Sequence, residues 1–179
     1  MTVDLLVRRV AVGLIGCCLT LVVATAVVMA VPSLRERVPT TAALPYQTGQ
    51  VVDLPTALYQ SSTSTLFVFS RADCAACQRS KASTSELITG LQRLPNTRAF
   101  MITGRGKREA EASFGRELGL DDAHILEMDV AQLRVRHVPT FLLVDEKGKI
   151  RYVIDGVLTD ESWKSLLRVA KAGSTSLEN

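Results

Sequence analysis

Residues 66–77 read LFVFSRADCAAC and decide the fold of this chain. The apolar run 66–69 is typical of a central β-strand buried on both faces, and a helix is predicted to follow. Cys74 and Cys77 stand three positions apart, so on the first turn of a helix their side chains face the same side, within disulfide reach. A helix N-terminus also favours a thiolate over a thiol. A strand, a CxxC pair and a helix in this order form a layout for reversible thiol–disulfide exchange.

Length and composition allow one ordinary domain with an appendage. The chain has 179 residues, of which 47% are hydrophobic, a high share for a soluble protein. Its formal net charge is only +3, and its basic residues are scattered without interleaved aromatic side chains. Nothing in the sequence therefore indicates nucleic-acid binding.

The hydrophobic excess lies in residues 10–31, an uncharged run rich in Val, Ala, Leu and Ile. This run is long enough to cross a bilayer as a helix. We expect a short tail at 1–9, an uncleaved transmembrane signal anchor at 10–31 and a linker rich in Pro and Thr at 32–47. The protein is then a single-pass protein of the cell membrane with its C-terminal domain outside the cytoplasm.

Two other interpretations of the N-terminal segment remain open. A signal peptide could be cleaved after Ala30, but the apolar run exceeds the usual length for such a segment. A lipoprotein could be modified at Cys17, but few apolar residues precede that cysteine. The numbers of basic residues on the two sides of the run are nearly equal, so the positive-inside rule does not decide the orientation of the helix in the membrane.

The segment 48–172 is predicted to hold the globular domain, followed by a flexible tail at 173–179. Strands are expected at 51–54, 66–69, 98–103, 125–128, 140–145 and 150–157, and helices at 74–94, 107–118 and 160–172. A short helix or turn is expected at 130–136. Strands that alternate with helices and end in a hairpin and a helix indicate an α/β layered sheet.

Val138-Pro139-Thr140 precedes an apolar strand, as the CxxC pair follows one. With these motifs, segment 48–172 resembles the thioredoxin superfamily. The extra helix and strand between 106 and 128 resemble its membrane-anchored, extracytoplasmic branch of TlpA and ResA type. The resemblance implies a thioredoxin-like fold, in which helices flank a central mixed sheet. It also implies that Pro139 is a cis-proline facing the cysteines.

That resemblance further implies a thiol–disulfide oxidoreductase without a cofactor or a bound metal. Cys74 would form the mixed disulfide with a substrate, Cys77 would resolve it, and Val138 with Pro139 would hold the substrate segment. The partners implied are protein thiols and disulfides of the cell envelope, the membrane through one helix, and an unidentified electron donor or acceptor. Cytochrome c maturation and envelope-protein assembly are the usual clients of this branch.

The chain departs from the family pattern around the cysteines. Asp73 replaces the usual Trp, and a carboxylate there opposes thiolate formation. The strand 66–69 carries no buried acid, and the intervening Ala75 and Ala76 offer no side-chain hydrogen bond. Asp73 and His137 are candidate tuning groups, although His137 is more readily interpreted as a surface histidine. The motif alone does not give the redox direction.

Two other classes of function stay open. A redox-inert interaction module with a permanent disulfide is consistent with the departures around the cysteines. A metal chaperone could bind copper with Cys74, Cys77 and His137. Against it, the chain has one CxxC pair and no second ligand pair for a closed zinc site. A peroxidase is disfavoured because its Pro- and Thr-containing cysteine loop is absent.

Overall fold

The computed structural model describes residues 44–106 and 108–175. The predicted tail 1–9, the anchor 10–31 and residues 32–43 of the linker lie outside the described residues, as do residues 176–179 of the predicted C-terminal tail. None of the helices formed by the described residues is long and apolar enough to cross a membrane.

The secondary structure follows the order expected for an α/β sheet. The strands are β1 (Ser64–Phe69), β2 (Thr97–Thr103), β3 (Ile125–Glu127), β4 (Thr140–Val144) and β5 (Ile150–Asp155). The helices are α1 (Ala75–Arg79), α2 (Lys81–Gln92), α3 (Arg108–Glu117) and α4 (Asp160–Thr175). Single 3-10 turns form at Thr56–Leu58, Asp122–His124 and Val130–Gln132.

In the described part of the chain, β1 lies at the centre of a five-stranded sheet whose order is β3-β2-β1-β4-β5. The pairs β1–β2 and β2–β3 are parallel, whereas β4 is antiparallel to both β1 and β5. Parallel neighbouring strands need a crossover connection. Helices α1 and α2 connect β1 to β2, and α3 connects β2 to β3, whereas the antiparallel strands β4 and β5 are joined by a short turn. The predicted mixed sheet flanked by helices is confirmed.

All six residues of β1 are buried, because both faces of the sheet are covered. Alternate side chains point to opposite faces of a strand. Leu66 and Val68 therefore belong to a cluster with residues of the helices, among them Leu87, Ile88, Leu91, Phe114, Leu118, Leu166 and Ala170. Phe67 and Phe69 belong to the opposite cluster, with Tyr46, Val52, Leu54 and Tyr59 from the N-terminal segment. This burial fixes the C-terminal end of β1, from which the CxxC segment begins.

The predicted helix 74–94 is interrupted at Ser80, so α1 and α2 are separate helices. Ser80 is only 1% exposed, and its hydroxyl accepts a hydrogen bond from the backbone N–H of Leu158 at 2.9 Å. This bond joins the start of α2 to the segment before α4. A local hydrophobic pattern does not reveal such a contact between residues 78 positions apart.

The predicted strand 51–54 is wrong. Val51 forms only an isolated bridge to Lys149, and Val52 and Leu54 cover the sheet as irregular chain instead. Tyr46, in the predicted linker, is 5% exposed and packs with them, so the packed domain begins before residue 48. At the other end, α4 continues to Thr175, three residues beyond its predicted end.

Candidate functional site

The two cysteines of the CxxC motif lie at the start of α1, just after the loop that follows β1. Cys74 is the N-cap of α1 and is half-buried, whereas Cys77 lies inside the helix and is 2% exposed. Both are free thiols. The backbone N–H of Cys77 donates to the sulfur of Cys74 at 3.1 Å. This hydrogen bond holds the Cys74 sulfur at the N-terminal end of α1.

The chemistry of Cys77 differs from that of Cys74. Burial and the hydrogen bond with Cys74 raise the pKa of Cys77 to about 11, although a hydrogen bond with Ser70 opposes the shift. Since the thiolate is the nucleophile, Cys77 is mainly a protonated thiol at neutral pH and reacts through its small thiolate fraction. The two sulfurs therefore differ. Cys74 is accessible and accepts a hydrogen bond, whereas Cys77 is buried and keeps its proton.

The loop before β4 faces this pair. The Val138–Pro139 peptide bond is cis, as the resemblance implies, and Pro139 is buried. The thiol of Cys74 donates to the carbonyl oxygen of Val138 at 3.5 Å. Behind the loop, the N–H of Gly156 donates to the carbonyl of Pro139 at 2.8 Å. The fold therefore brings the carbonyl of Val138, 64 positions after Cys74, up to its sulfur, and the cis bond joins Val138 to Pro139.

Arg134 fastens the segment that leads into this loop. Its guanidinium donates to Asp53 Oδ2 at 2.8 Å and to the carbonyl of Val51 at 2.9 Å, and it lies 4.6 Å from the centre of the Tyr46 ring. All three partners lie in the irregular N-terminal segment 44–54, which includes the residues that were predicted to form a strand. The irregular chain at 44–54 therefore has a definite role, which is to anchor residues just before Val138.

Asp73, a predicted tuning group, forms a two-pronged ion pair with Arg71 at 2.9 and 2.8 Å. This hydrogen-bonded pair raises the pKa of Arg71. The charge that was expected to oppose a thiolate at Cys74 is therefore offset by a neighbouring guanidinium. The second predicted tuning group, His137, is exposed and lies on the rim of a cavity beside the cysteines.

The ligands that the metal-chaperone alternative would use do not come together among the described residues. In residues 44–106 and 108–175, no three or more His, Cys, Asp and Glu side chains are grouped so that they could hold a metal ion. Cys74, Cys77 and His137 therefore form no ligand set there. Nothing in the described geometry favours the metal-chaperone alternative.

Glu111 is a site residue that the sequence analysis missed. It is 2% exposed, and its carboxylate accepts a hydrogen bond from the backbone N–H of Ala72 at 2.9 Å. The expected position for a buried acid was β1, but this acid comes from α3. Glu111 lies three positions before Phe114 and seven before Leu118, both of which are buried. This helical spacing could have indicated that Glu111 is on the buried face of α3. The bond ties α3 to the loop that carries Cys74.

A cavity of about 400 Å³ lies beside this loop. One side is apolar and is formed by Phe69, Ile102, Val130, Val135 and Val138. Polar side chains complete the lining, namely Ser70, Arg71, Thr103, Arg105, Glu111, Arg136 and His137. Neither cysteine lines the cavity, but Val138 does, and its carbonyl accepts the Cys74 thiol at 3.5 Å, so the cavity adjoins the segment that contacts Cys74.

The comparisons with known proteins agree with this fold. The profile of the thioredoxin-like domain family matches residues 52–171. The thioredoxin domain of a Bacteroides vulgatus thiol-disulfide oxidoreductase superposes with a TM-score of 0.57 at 12% identity, covering 70% of this chain and 99% of that one. A thiol:disulfide interchange protein of the thioredoxin family from Chlorobium tepidum gives 0.52 at 14% identity, covering 73% and 94%.

A third similar solved structure is also that of a disulfide oxidoreductase. A secreted Mycobacterium tuberculosis disulfide oxidoreductase, homologous to E. coli DsbE, gives a TM-score of 0.50 at 18% identity and covers 65% of this chain and 84% of that one. No curated protein matches the chain in sequence. These structural likenesses establish the fold, and the family match covers most of the chain. The chain therefore belongs to the family of thioredoxin-like domains, with a fold shared by thiol-disulfide oxidoreductases.

Proposed function

We propose that this protein is a thiol–disulfide oxidoreductase that exchanges disulfides with protein substrates through Cys74 and Cys77. The observation that carries the proposal is the asymmetry of the two sulfurs. Cys74 is accessible and accepts a backbone hydrogen bond, whereas Cys77 is buried and has its pKa raised to about 11. Since exchange depends on access to the attacking sulfur, this difference assigns the attack to Cys74 and leaves the resolving step to Cys77.

In the reducing direction, the Cys74 thiolate attacks one sulfur of a substrate disulfide. The substrate S–S bond breaks, and its other sulfur leaves as a thiolate that takes up a proton. Cys77 then loses its proton and attacks the Cys74 sulfur, which breaks the mixed disulfide and releases the second substrate thiol. Two electrons have passed to the substrate, and the protein holds a Cys74–Cys77 disulfide. The same steps in reverse oxidise a substrate dithiol.

The loop at Val138 and Pro139 is the proposed seat of the substrate segment. The Val138 carbonyl already faces the Cys74 sulfur. An extended segment that pairs with the backbone of Val138 would place its own cysteine against Cys74. Extended peptides commonly bind by such main-chain hydrogen bonds. A dithiol donor or a disulfide acceptor elsewhere must then reset the cysteine pair.

We also propose that a helix at 10–31 tethers the domain to the outer face of the cell membrane. The support is the uncharged apolar run in the sequence and its length. Protease added to intact spheroplasts is expected to digest the domain. A domain that resists the protease until the membrane is broken, although the purified protein is cleaved, would contradict this topology.

The alternative of a redox-inert module with a permanent disulfide makes an opposite prediction about the cysteine pair. An exchange catalyst must have a reduction potential within the range of the cell's thiol pools, whereas a structural disulfide lies below that range. The reduction potential of the Cys74–Cys77 pair therefore tests the proposed function.

A further inference from the structure

We propose that the cavity beside the cysteines recognises a polypeptide segment in which an acidic and an apolar side chain flank the substrate cysteine. This inference rests on the proposed function, because it takes Cys74 to be the sulfur that joins the substrate. It adds the chemical class of substrate that this chain's own side chains select.

The position of the cavity is the first part of the argument. Val138 lines the cavity, and its carbonyl accepts the Cys74 thiol at 3.5 Å. Ser70 and Arg71, which lead from β1 into the CxxC segment, also line it. A substrate attached to Cys74 therefore has its neighbouring residues at the mouth of the cavity. A volume of about 400 Å³ suits a few side chains and not a folded partner.

The charge of the lining is the second part. Among the described residues that line the cavity, three arginines face one carboxylate, Glu111. Glu111 is buried and accepts the Ala72 N–H, and Arg71 is already paired with Asp73. Arg105 and Arg136 are exposed, and within the described part of the chain neither side chain forms an ion pair. The rim thus offers two uncompensated guanidinium groups, and guanidinium binds carboxylates with matched geometry.

The interior of the cavity is the third part. Phe69, Ile102 and Val135 supply an apolar wall, and Val130 is among the more exposed large hydrophobic residues of the domain. The hydroxyl of Thr103, a residue only 4% exposed, has no hydrogen-bond partner. An apolar substrate side chain would cover the wall, whereas the Thr103 hydroxyl lies beneath the surface. A purely acidic or purely apolar ligand would use only part of this lining.

The test measures how fast the reduced full-length chain, kept in a nonionic detergent, attacks three short peptides. Cys17 and Cys18 are replaced by alanine so that only the CxxC pair reacts. Each peptide has a central cysteine joined to thiopyridine in a disulfide, next to a leucine, and carries flanking Glu, Gln or Lys residues. Attack by Cys74 breaks that disulfide and releases thiopyridone, whose absorbance gives the second-order rate constant.

We expect the Glu peptide to react about tenfold faster than the Lys peptide at low salt, with Gln between them, because each exposed ion pair contributes modestly. The preference should shrink as salt screens the charges. It should disappear when Arg105→Gln and Arg136→Gln are combined, and persist when both are changed to Lys. Arg98→Gln is the matched control, because Arg98 is exposed at the opposite end of β2 from Thr103. It should change nothing.

Four outcomes overturn the inference. Equal rates for the Glu and Lys peptides, or a preference that survives the double Gln variant, would show that the arginines do not select substrates. Glutathione disulfide reacting faster than the Glu peptide, and through the same arginines, would assign the cavity to small anionic thiols instead. If no peptide reacts faster with the protein than with free dithiothreitol, the proposed function fails together with the inference.

Discussion

Cys77→Ser is expected to give a protein that attacks a substrate disulfide once and then stays joined to it. Cys74 remains accessible and keeps the hydrogen bond from the residue 77 backbone N–H, so the first attack is preserved. The sulfur that would break the mixed disulfide is gone, so turnover falls to the uncatalysed rate. Non-reducing electrophoresis of the variant with a disulfide-containing protein should show a covalent adduct, and dithiothreitol should cleave it by reducing the mixed disulfide.

The matched control for this adduct is Cys74→Ser. Cys77 alone is buried and has a raised pKa, so this variant should form no adduct and show no turnover. The release step of the unmodified protein should accelerate about tenfold per pH unit near neutrality, since the Cys77 thiolate fraction rises in that proportion below its pKa. An adduct that forms through Cys77 instead of Cys74 would reverse the assigned roles.

Glu111→Ala is expected to lower the free energy of unfolding by about 1–2 kcal/mol, because it leaves the half-buried N–H of Ala72 without its charged acceptor. The loop between β1 and Cys74 then loses its tie to α3, so disulfide exchange should slow as well. Denaturant unfolding and the peptide reaction described above measure the two effects.

Two matched variants separate the causes. Glu111→Gln keeps an oxygen that can accept the Ala72 N–H, so it should retain most of the stability and of the exchange rate. Glu109→Ala removes an exposed acid from the same helix and should change the stability by less than about 0.5 kcal/mol. If Glu111→Gln were as damaging as Glu111→Ala, the charge of Glu111, and not its hydrogen bond, would be the important property.

The parts of the fold that were predictable are those with strong local patterns. The apolar run around Phe67, the Gly148 turn between β4 and β5, and the periodic face of α4 each indicate one structure, and the structure agrees. The strand at 51–54 failed because Val52 and Leu54 alternate like a strand but bury their side chains as irregular chain. Burial against the sheet outweighed the local preference in that segment.

The candidate site divides in the same way. Cys74, Cys77 and the loop at Val138 and Pro139 belong to recognisable motifs, and the fold brings them together. Glu111 was missed because its role depends on a hydrogen bond to Ala72, 39 positions earlier. The anchoring of Arg134 to Asp53, 81 positions earlier, was missed for the same reason. Contacts of this length arise from the packed structure, and a single sequence carries no local pattern for them.

The reduction potential of the Cys74–Cys77 pair tests the central claim most directly. The full-length chain with Cys17→Ala and Cys18→Ala would be equilibrated in glutathione and dithiothreitol buffers, and its free thiols counted at each potential. The account predicts a two-electron transition between about −120 and −270 mV, the range of exchange catalysts. A pair that stays oxidised until well below about −300 mV would be a structural disulfide, and the protein would then be an interaction module and not an oxidoreductase.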